Sequence, residues 1–313
     1  MKRILISGAS GFVGTNIQTY LKREFPGCGL LKLVRGSAVN ADEYGWSSLA
    51  KAFAAGPDVV LHLAGKAHDL KRVSQPEVYY DVNTTLTQRL FDEFLVSGAG
   101  IFIMLSSVKA VRDIAEQTIT ETMVPAPGTH YGKSKLHAEE YVMGRPLPSG
   151  KRVYILRPCM IHGPGNKGNL NLLFQIVKKG IPYPLASFEN ERSFLSVQNL
   201  CFIIRELIER NDILPGIYNA ADDTPLSTNR VIEIMSEELG QKKRLWKVHR
   251  SVVKAIARIG DYLPFPLNSE RLQKLTENYI VSNKKLKTAL GKPLPLTSEQ
   301  GLRITLQSFV HVD

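Results

Sequence analysis

A doubly wound α/β chain, with a mostly parallel sheet and a smaller C-terminal lobe, is the fold class these 313 residues predict. Three observations predict it. Short apolar runs alternate with helical patterns through the first half of the chain. The runs are continuous rather than alternating, as strands buried on both faces require. The first run ends in a glycine-rich turn that opens a helix, the start expected of a phosphate-binding strand–turn–helix unit.

Taken in order, Ile4-Leu5-Ile6 reads as a buried strand ending at Ser7-Gly8. The turn Gly8 to Gly14 leads into a helical pattern through about Phe25. Leu30 to Val34 is the next strand, and Trp46 to Ala55 a helix. Asp58 to Leu63 is a strand closed by Ala64-Gly65. A long helix is expected from Glu77 to Ser97, a strand from Ile101 to Leu105 and a helix from Tyr131 to Met143. Arg152 to Leu156 is a strand stopped by Arg157-Pro158. Beyond residue 160 the pattern loosens, with loops at Gly163-Pro164-Gly165 and Pro182-Tyr183-Pro184. Helices return near 168–180, 198–210, 228–239, 251–261 and 298–309. The division expected is 1–160 for the nucleotide-binding sheet and 161–313 for the lobe, with chain from the second part weaving back into the sheet.

Hydrophobic residues make up 43% and charged residues 22%, which excludes disordered, collagen-like and low-complexity classes. Forty Lys and Arg against 29 Asp and Glu leave a net charge of +11, so acidic partners are expected: phosphorylated small molecules, nucleic acid or an anionic membrane. Cys28, Cys159 and Cys201 lack metal-ligand spacing and suit reduced thiols in a cytoplasmic protein. No apolar run approaches a membrane span, and the apolar stretch after Met1-Lys2-Arg3 is too short for a signal peptide.

Gly8-x-x-Gly11-x-x-Gly14 allows a tight turn and close approach of backbone to a pyrophosphate, which the following helix N-terminus attracts. Candidate cofactor contacts in it are Gly8, Ser10, Gly11, Phe12, Val13 and Gly14. The second strand ends Leu33-Val34-Arg35-Gly36-Ser37, with no carboxylate for a ribose 2′-hydroxyl and with Arg35 able to pair a 2′-phosphate. The cofactor is therefore NAD or NADP, with the strand end leaning toward NADP. Leu63, Ala64, Gly65 and Asn83 are further candidate contacts.

Tyr131 and Lys135 stand four apart on one helix face, where an ammonium lowers the pKa of a phenol and makes it a general acid/base. Ser107, 24 residues before the tyrosine at a strand's carboxyl end, could bond a substrate oxygen. His62 and His68 are not spaced as a metal pair, and no metal is expected. His130 reads as a loop residue beside the tyrosine, and His137 faces away from it.

These motifs resemble the extended short-chain dehydrogenase/reductase superfamily, specifically its NAD-dependent epimerase/dehydratase family of nucleotide-sugar enzymes. The resemblance runs through GASGFVG at 8–14, DVVLHLAG at 58–65, LSSVKAV at 105–111, YGKSK at 131–135, LRPCMIHGPG at 156–165, GNL at 168–170 and ERSFLSVQNL at 191–200. It implies a Rossmann-like parallel sheet with a substrate-binding lobe, and a homodimer. It also implies catalysis by Ser107, Tyr131 and Lys135, with Lys135 on the nicotinamide ribose and Asn169 and Arg192 on the sugar nucleotide. His162 and Val111-Arg112 depart from the family pattern without touching a catalytic atom.

Dehydratases of the family carry Asp-Glu after the catalytic hydroxyl residue; Val108-Lys109 stands there, which argues against dehydration. The reaction expected is 4-epimerisation of a UDP-(N-acetyl)hexose through a 4-keto sugar, in surface polysaccharide synthesis. Reduction of a UDP-4-keto-6-deoxy sugar is the alternative, and a non-catalytic dinucleotide sensor the second alternative. Cations cluster late, from Lys242 to Arg258, beside an apolar stripe of Val252, Ile256, Ile259 and Leu263. The plain reading is a helix packed on its neighbours with solvated cations. The sharper one is contact with an anionic membrane carrying a polyprenyl-diphosphate sugar. No nucleic-acid motif is present.

Overall fold

The structure is a computed structural model that describes residues 2–36, 38–66, 75–166, 168–262 and 268–310. His68 and Leu263, singled out above, lie outside the described residues. The chain runs β1 (Arg3–Ser7), α1 (Phe12–Glu24), β2 (Gly29–Val34), β3 (Glu43–Gly45), α2 (Leu49–Ala54), β4 (Val59–His62), α3 (Pro76–Tyr80), α4 (Leu86–Val96), β5 (Ile101–Leu105), α5 (His130–Met143), β6 (Arg152–Pro158), β7 (Met160–His162), α6 (Asn169–Lys178), β8 (Phe194–Ser196), α7 (Val197–Glu209), β9 (Gly216–Ala220), α8 (Thr228–Glu238), α9 (Arg250–Ile259), α10 (Ser269–Thr276), α11 (Lys284–Leu290) and α12 (Ser298–Val310).

Seven strands form one sheet in the order β3-β2-β1-β4-β5-β6-β9. Each adjacent pair is parallel. Apolar residues on both faces explain the continuous hydrophobic runs. Ile4, Ile6, Leu61 and Ile103 face one side, packed with Ile17 and Leu21 of α1 and with Leu200 and Ile204 of α7. Leu5, Val60, Phe102 and Met104 face the other, against Phe91 and Phe94 of α4 and Ala138 of α5. Phe91 meets Phe102 edge to face at 5.0 Å between ring centres, and truncating either ring would cost about 3–5 kcal/mol.

The chain re-enters the sheet from its second half. β9 pairs along β6, so residues 216–220 belong to the seven-stranded sheet. The lobe has a core of its own, around Phe174, Phe194, Ile232, Met235, Leu302 and Leu306. A small parallel pair, β7 with β8, underlies it. Helix starts there are fixed by side-chain caps: Ser196 accepts from Asn199 N, Ser227 from Arg230 N and Asn268 from Arg271 N.

Three local expectations change. Glu43–Gly45 is an edge strand, and regular helix begins only at Leu49 after a tight turn over Trp46–Ser48. The long helix from Glu77 is interrupted by a widened turn, Asp81–Thr85, in which Asn83 is fully buried. α9 buries Val253 and Ala257, leaving Val252, Ile256 and Ile259 exposed, so the apolar stripe is not the packed face.

Candidate active site

The parallel sheet brings the ends of β1, β4 and β5 to one edge, where open α/β sheets bind ligands. Gly8 there has φ +74°, and a Cβ on it would meet Ala64 N at 2.7 Å. The turn after β1 is thus pressed onto Ala64, and any side chain would force the two apart. A Cβ on Gly14 would lie 2.2 Å from the Gly8 carbonyl oxygen, so α1 can start against the turn only with glycine there. α1 has no side-chain cap and no acidic residue in its first turn. Its first N–H groups are therefore offered to an external anion. Phe12 packs toward Gly163 of the loop after β7. Arg35 follows β2 and is exposed beyond the edge. A dinucleotide phosphate fits this cradle, since backbone donors and small residues converge where a Cβ would block it.

Lys135 is buried on α5, and its Nζ donates to the Leu105 carbonyl at 3.0 Å. A Cβ on Gly65 would stand 2.9 Å from that Nζ and 3.1 Å from Asn83 Oδ1, so a side chain there would press the lysine out of this position. Burial lowers the Lys135 pKa to about 8, against the raising effect of the Glu139 carboxylate. The Tyr131 phenol, one turn before Lys135, lies close enough to Ser107 to feel its hydroxyl. Burial raises the Tyr131 pKa and the Ser107 hydroxyl partly offsets it. Ser107 also caps the turn over Val108–Ala110 by accepting from Lys109 N at 3.2 Å. Its backbone geometry is set by that turn, so Ser107, Tyr131 and Lys135 do meet at one place.

Asn83 takes a different position from an open cofactor contact. Its Oδ1 accepts from Lys66 N at 2.8 Å, and its Nδ2 donates to Lys66 O at 3.1 Å and to Ser134 Oγ at 2.9 Å. It ties the segment after β4 to α5, one residue from Lys135. The widened turn places it there, as such turns often do at functional sites.

Spacing alone did not disclose two buried networks. Ser106 donates to Glu139, which is held by Arg157 through Nε at 3.0 Å and Nη2 at 2.5 Å. Glu139 stands four residues after Lys135, so an i, i+4, i+8 reading of Tyr131, Lys135 and Glu139 was available. The second is a chain through His62. Thr87 Oγ1 donates to the Asn83 carbonyl at 2.7 Å, so it accepts from His62 Nε2–H, also at 2.7 Å. His62 Nδ1 then accepts from Ser7 Oγ at 2.6 Å, and Ser7 Oγ accepts from Ala64 N at 3.2 Å. Every group is satisfied with His62 neutral; burial and the nearby Lys135 charge push its pKa down to about 3. No cluster suited to a metal occurs among the described residues.

On the lobe side, Arg192 lies beside Glu277 at 3.7 Å and is bridged by backbone to Tyr279. Tyr279 hydroxyl donates to the Arg112 carbonyl at 2.7 Å and lies within electrostatic reach of Tyr131. Tyr279, unnoticed in the sequence, thus stands in register with Arg192 and within electrostatic reach of Tyr131. Lys109 Nζ sits 4.5 Å from the Tyr279 ring centre. Asn169 is the first residue of α6. Val111 is core, and Arg112 serves through its carbonyl. His162 is also interior, bonded to Thr305 at 2.8 Å. His130 opens α5, and both it and His137 pack on Tyr80.

The profile of the NAD dependent epimerase/dehydratase family matches residues 4–221. The UDP-glucose 4-epimerase of Vibrio cholerae is 29% identical, over 100% of this chain and 97% of that one. An Escherichia coli O157:H7 protein, N-acetyl-alpha-D-glucosaminyl-diphospho-ditrans,octacis-undecaprenol 4-epimerase, is 28% identical over 98% and 96%. The GDP-6-deoxy-D-mannose reductase of Pseudomonas aeruginosa is 27% identical over 75% and 80%. Among solved structures, the UDP-N-acetylglucosamine 4-epimerase of Bacillus cereus superposes with a TM-score of 0.76 over 99% of each chain at 18% identity. With a glycine cradle for a dinucleotide beside a serine, a tyrosine and a buried lysine, this chain belongs to the NAD-dependent epimerase/dehydratase family, whose NAD(P)-dependent sugar epimerases and reductases define its enzyme class.

Proposed function

We propose that this protein is a 4-epimerase of a UDP-(N-acetyl)hexose or of the lipid-diphosphate-linked counterpart of that sugar. The observation that carries the reading is the placement of Ser107, Tyr131 and Lys135 together at the sheet edge. Bound NAD or NADP would rest its phosphates on the Gly8–Gly14 turn and supply reversible hydride acceptance. Ser107 bonds the sugar's C4 oxygen and fixes it near Tyr131. Tyr131 takes the proton from that oxygen and later returns it, so the 4-keto sugar can be protonated after turning over. Lys135, charged below about pH 8, would hold the nicotinamide ribose, and its positive charge one turn from Tyr131 favours the phenolate. Arg192 offers a planar guanidinium for the diphosphate.

Val108 is buried and Lys109 bonds the Asp113 carbonyl, so no acid–base pair follows Ser107 as dehydration requires. Reduction of a 4-keto-6-deoxy sugar uses the same residues and is favoured by one observation, the exposed Arg35 beyond β2, where a 2′-phosphate would bind. A substrate panel separates the readings. Interconversion of UDP-GlcNAc and UDP-GalNAc, or of lipid-linked forms, supports the epimerase. Oxidation of NADPH by a UDP-4-keto-6-deoxy sugar, without epimerisation, establishes the reductase.

A further inference from the structure

The lobe carries a second surface, away from the reaction, whose chemistry none of the catalytic roles uses. α9 presents Val252, Ile256 and Ile259 along one flank at 49%, 41% and 54% exposure. These residues are spaced i, i+4, i+7, so they form a continuous apolar strip rather than scattered exposures. Lys254 and Arg258 lie on the opposite flank of the helix, long enough to reach around its polar edge. Exposed aromatics stand at the two ends, Trp246 before the helix and Tyr262 after it, at 59% and 91%.

A cationic cavity adjoins this helix. Lys178, Lys179, Lys242 and Arg244 line a hollow of about 350 Å³ at the end of α6, and no carboxylate is among its described lining residues. The segment 183–187 runs beside 244–248: Tyr183 N donates to Arg244 O at 2.9 Å, Trp246 N to Tyr183 O at 2.9 Å and Ser187 Oγ to Val248 O at 2.6 Å. Arg250, the first residue of α9, donates to Ser187 O at 2.8 Å. A short ribbon thus links the cationic hollow to the apolar strip.

We infer that this face of the lobe docks on an anionic lipid bilayer, the α9 strip entering the interface and the α6-end cavity receiving lipid phosphate. Charge selects the partner. An apolar protein groove would satisfy the strip but leave four clustered cations facing a neutral surface, whereas a bilayer of anionic lipids presents both phases at once. Exposed Trp and Tyr at a helix's ends are the residues enriched at such boundaries. The inference does not depend on which sugar reaction the cleft performs.

Vesicle sedimentation of the full chain tests it, with phosphatidylglycerol–phosphatidylcholine vesicles against phosphatidylcholine alone, at low and physiological salt. The expected result is binding to the anionic vesicles only, weakened by salt. Lys242→Ala with Arg244→Ala should lower partitioning roughly 30-fold. Ile256→Ser should lower it about tenfold or more. Both variants should bind nicotinamide cofactor as the wild type does, which shows that they fold. Hydrogen exchange of the wild type with and without vesicles is the variant-free measurement, and slowing at 246–262 is expected. Absence of binding at low salt, equal binding by the variants, slowing confined to other segments, or preference for soluble polyglutamate over vesicles would each overturn the inference.

Discussion

Tyr131 and Lys135 illustrate what a single residue can and cannot settle. Replacing Tyr131 by Phe removes the hydroxyl proposed to move the C4 proton, and turnover should fall roughly 10²–10⁴-fold with cofactor binding retained. Steady-state rates and a cofactor titration check both halves. Lys135 adds a pH signature. Its pKa is held near 8 by burial, so activity requiring the ammonium should decline as pH rises through about 8. A pH profile that stays flat to well above that value would contradict the assignment. Gly65→Ala should lose activity because its Cβ has Lys135 Nζ at 2.9 Å. The sequence made the tyrosine, lysine and glycines legible because spacing and backbone demands are local. It did not disclose Tyr279 or the Ser106–Glu139–Arg157 cluster, whose members come from distant elements and meet only through the sheet.

Between single residues and the whole, the informative unit is the set of segments tied by His62. β1, the end of β4 and the widened turn at Asn83 are joined by Ser7, His62 and Thr87. The motif Asp58–Gly65 was readable as a strand end, but nothing in it said that His62 would be a bonded interior group rather than a ligand. Ala at 62 would leave the Ser7 O–H without its acceptor, while Thr87 keeps its bond to the Asn83 carbonyl, costing about 1–3 kcal/mol if water cannot reach that donor. Chemical denaturation measures that loss. The acid response follows from the same group. The folded His62 has its pKa lowered from 6.5 to about 3, so below 6.5 the unfolded chain takes up a proton that the folded chain refuses. Its contribution is therefore complete above pH 6.5 and is lost as pH falls toward 3. Buried Asp222, raised from 3.8 to about 6, acts in the opposite sense, favouring the fold below 3.8 and losing that contribution as pH rises through 6. Denaturation midpoints of the wild type and His62→Asn across that interval should diverge if the histidine dominates.

At the scale of the molecule, alternation of strand and helix was enough to read the sheet, because burial on both faces leaves continuous apolar runs. The lobe was less legible. Its strands β7 and β8 have three residues each, too short for periodicity, and α10 and α11 are short polar helices. The return of β9 to the sheet depends on pairing with β6 across more than fifty residues of intervening chain. That return ties chain from the second half into the sheet. The activity proposed for the site is inversion at C4 without net redox change. Its most direct test starts wild-type protein and Tyr131→Phe from each C4 epimer of the same UDP-N-acetylhexose and follows both by NMR. The account predicts that wild type reaches one mixture from either side with no net gain or loss of reduced nicotinamide, while the variant scarcely moves. Stoichiometric consumption of reduced nicotinamide, or full turnover by the variant, would contradict it.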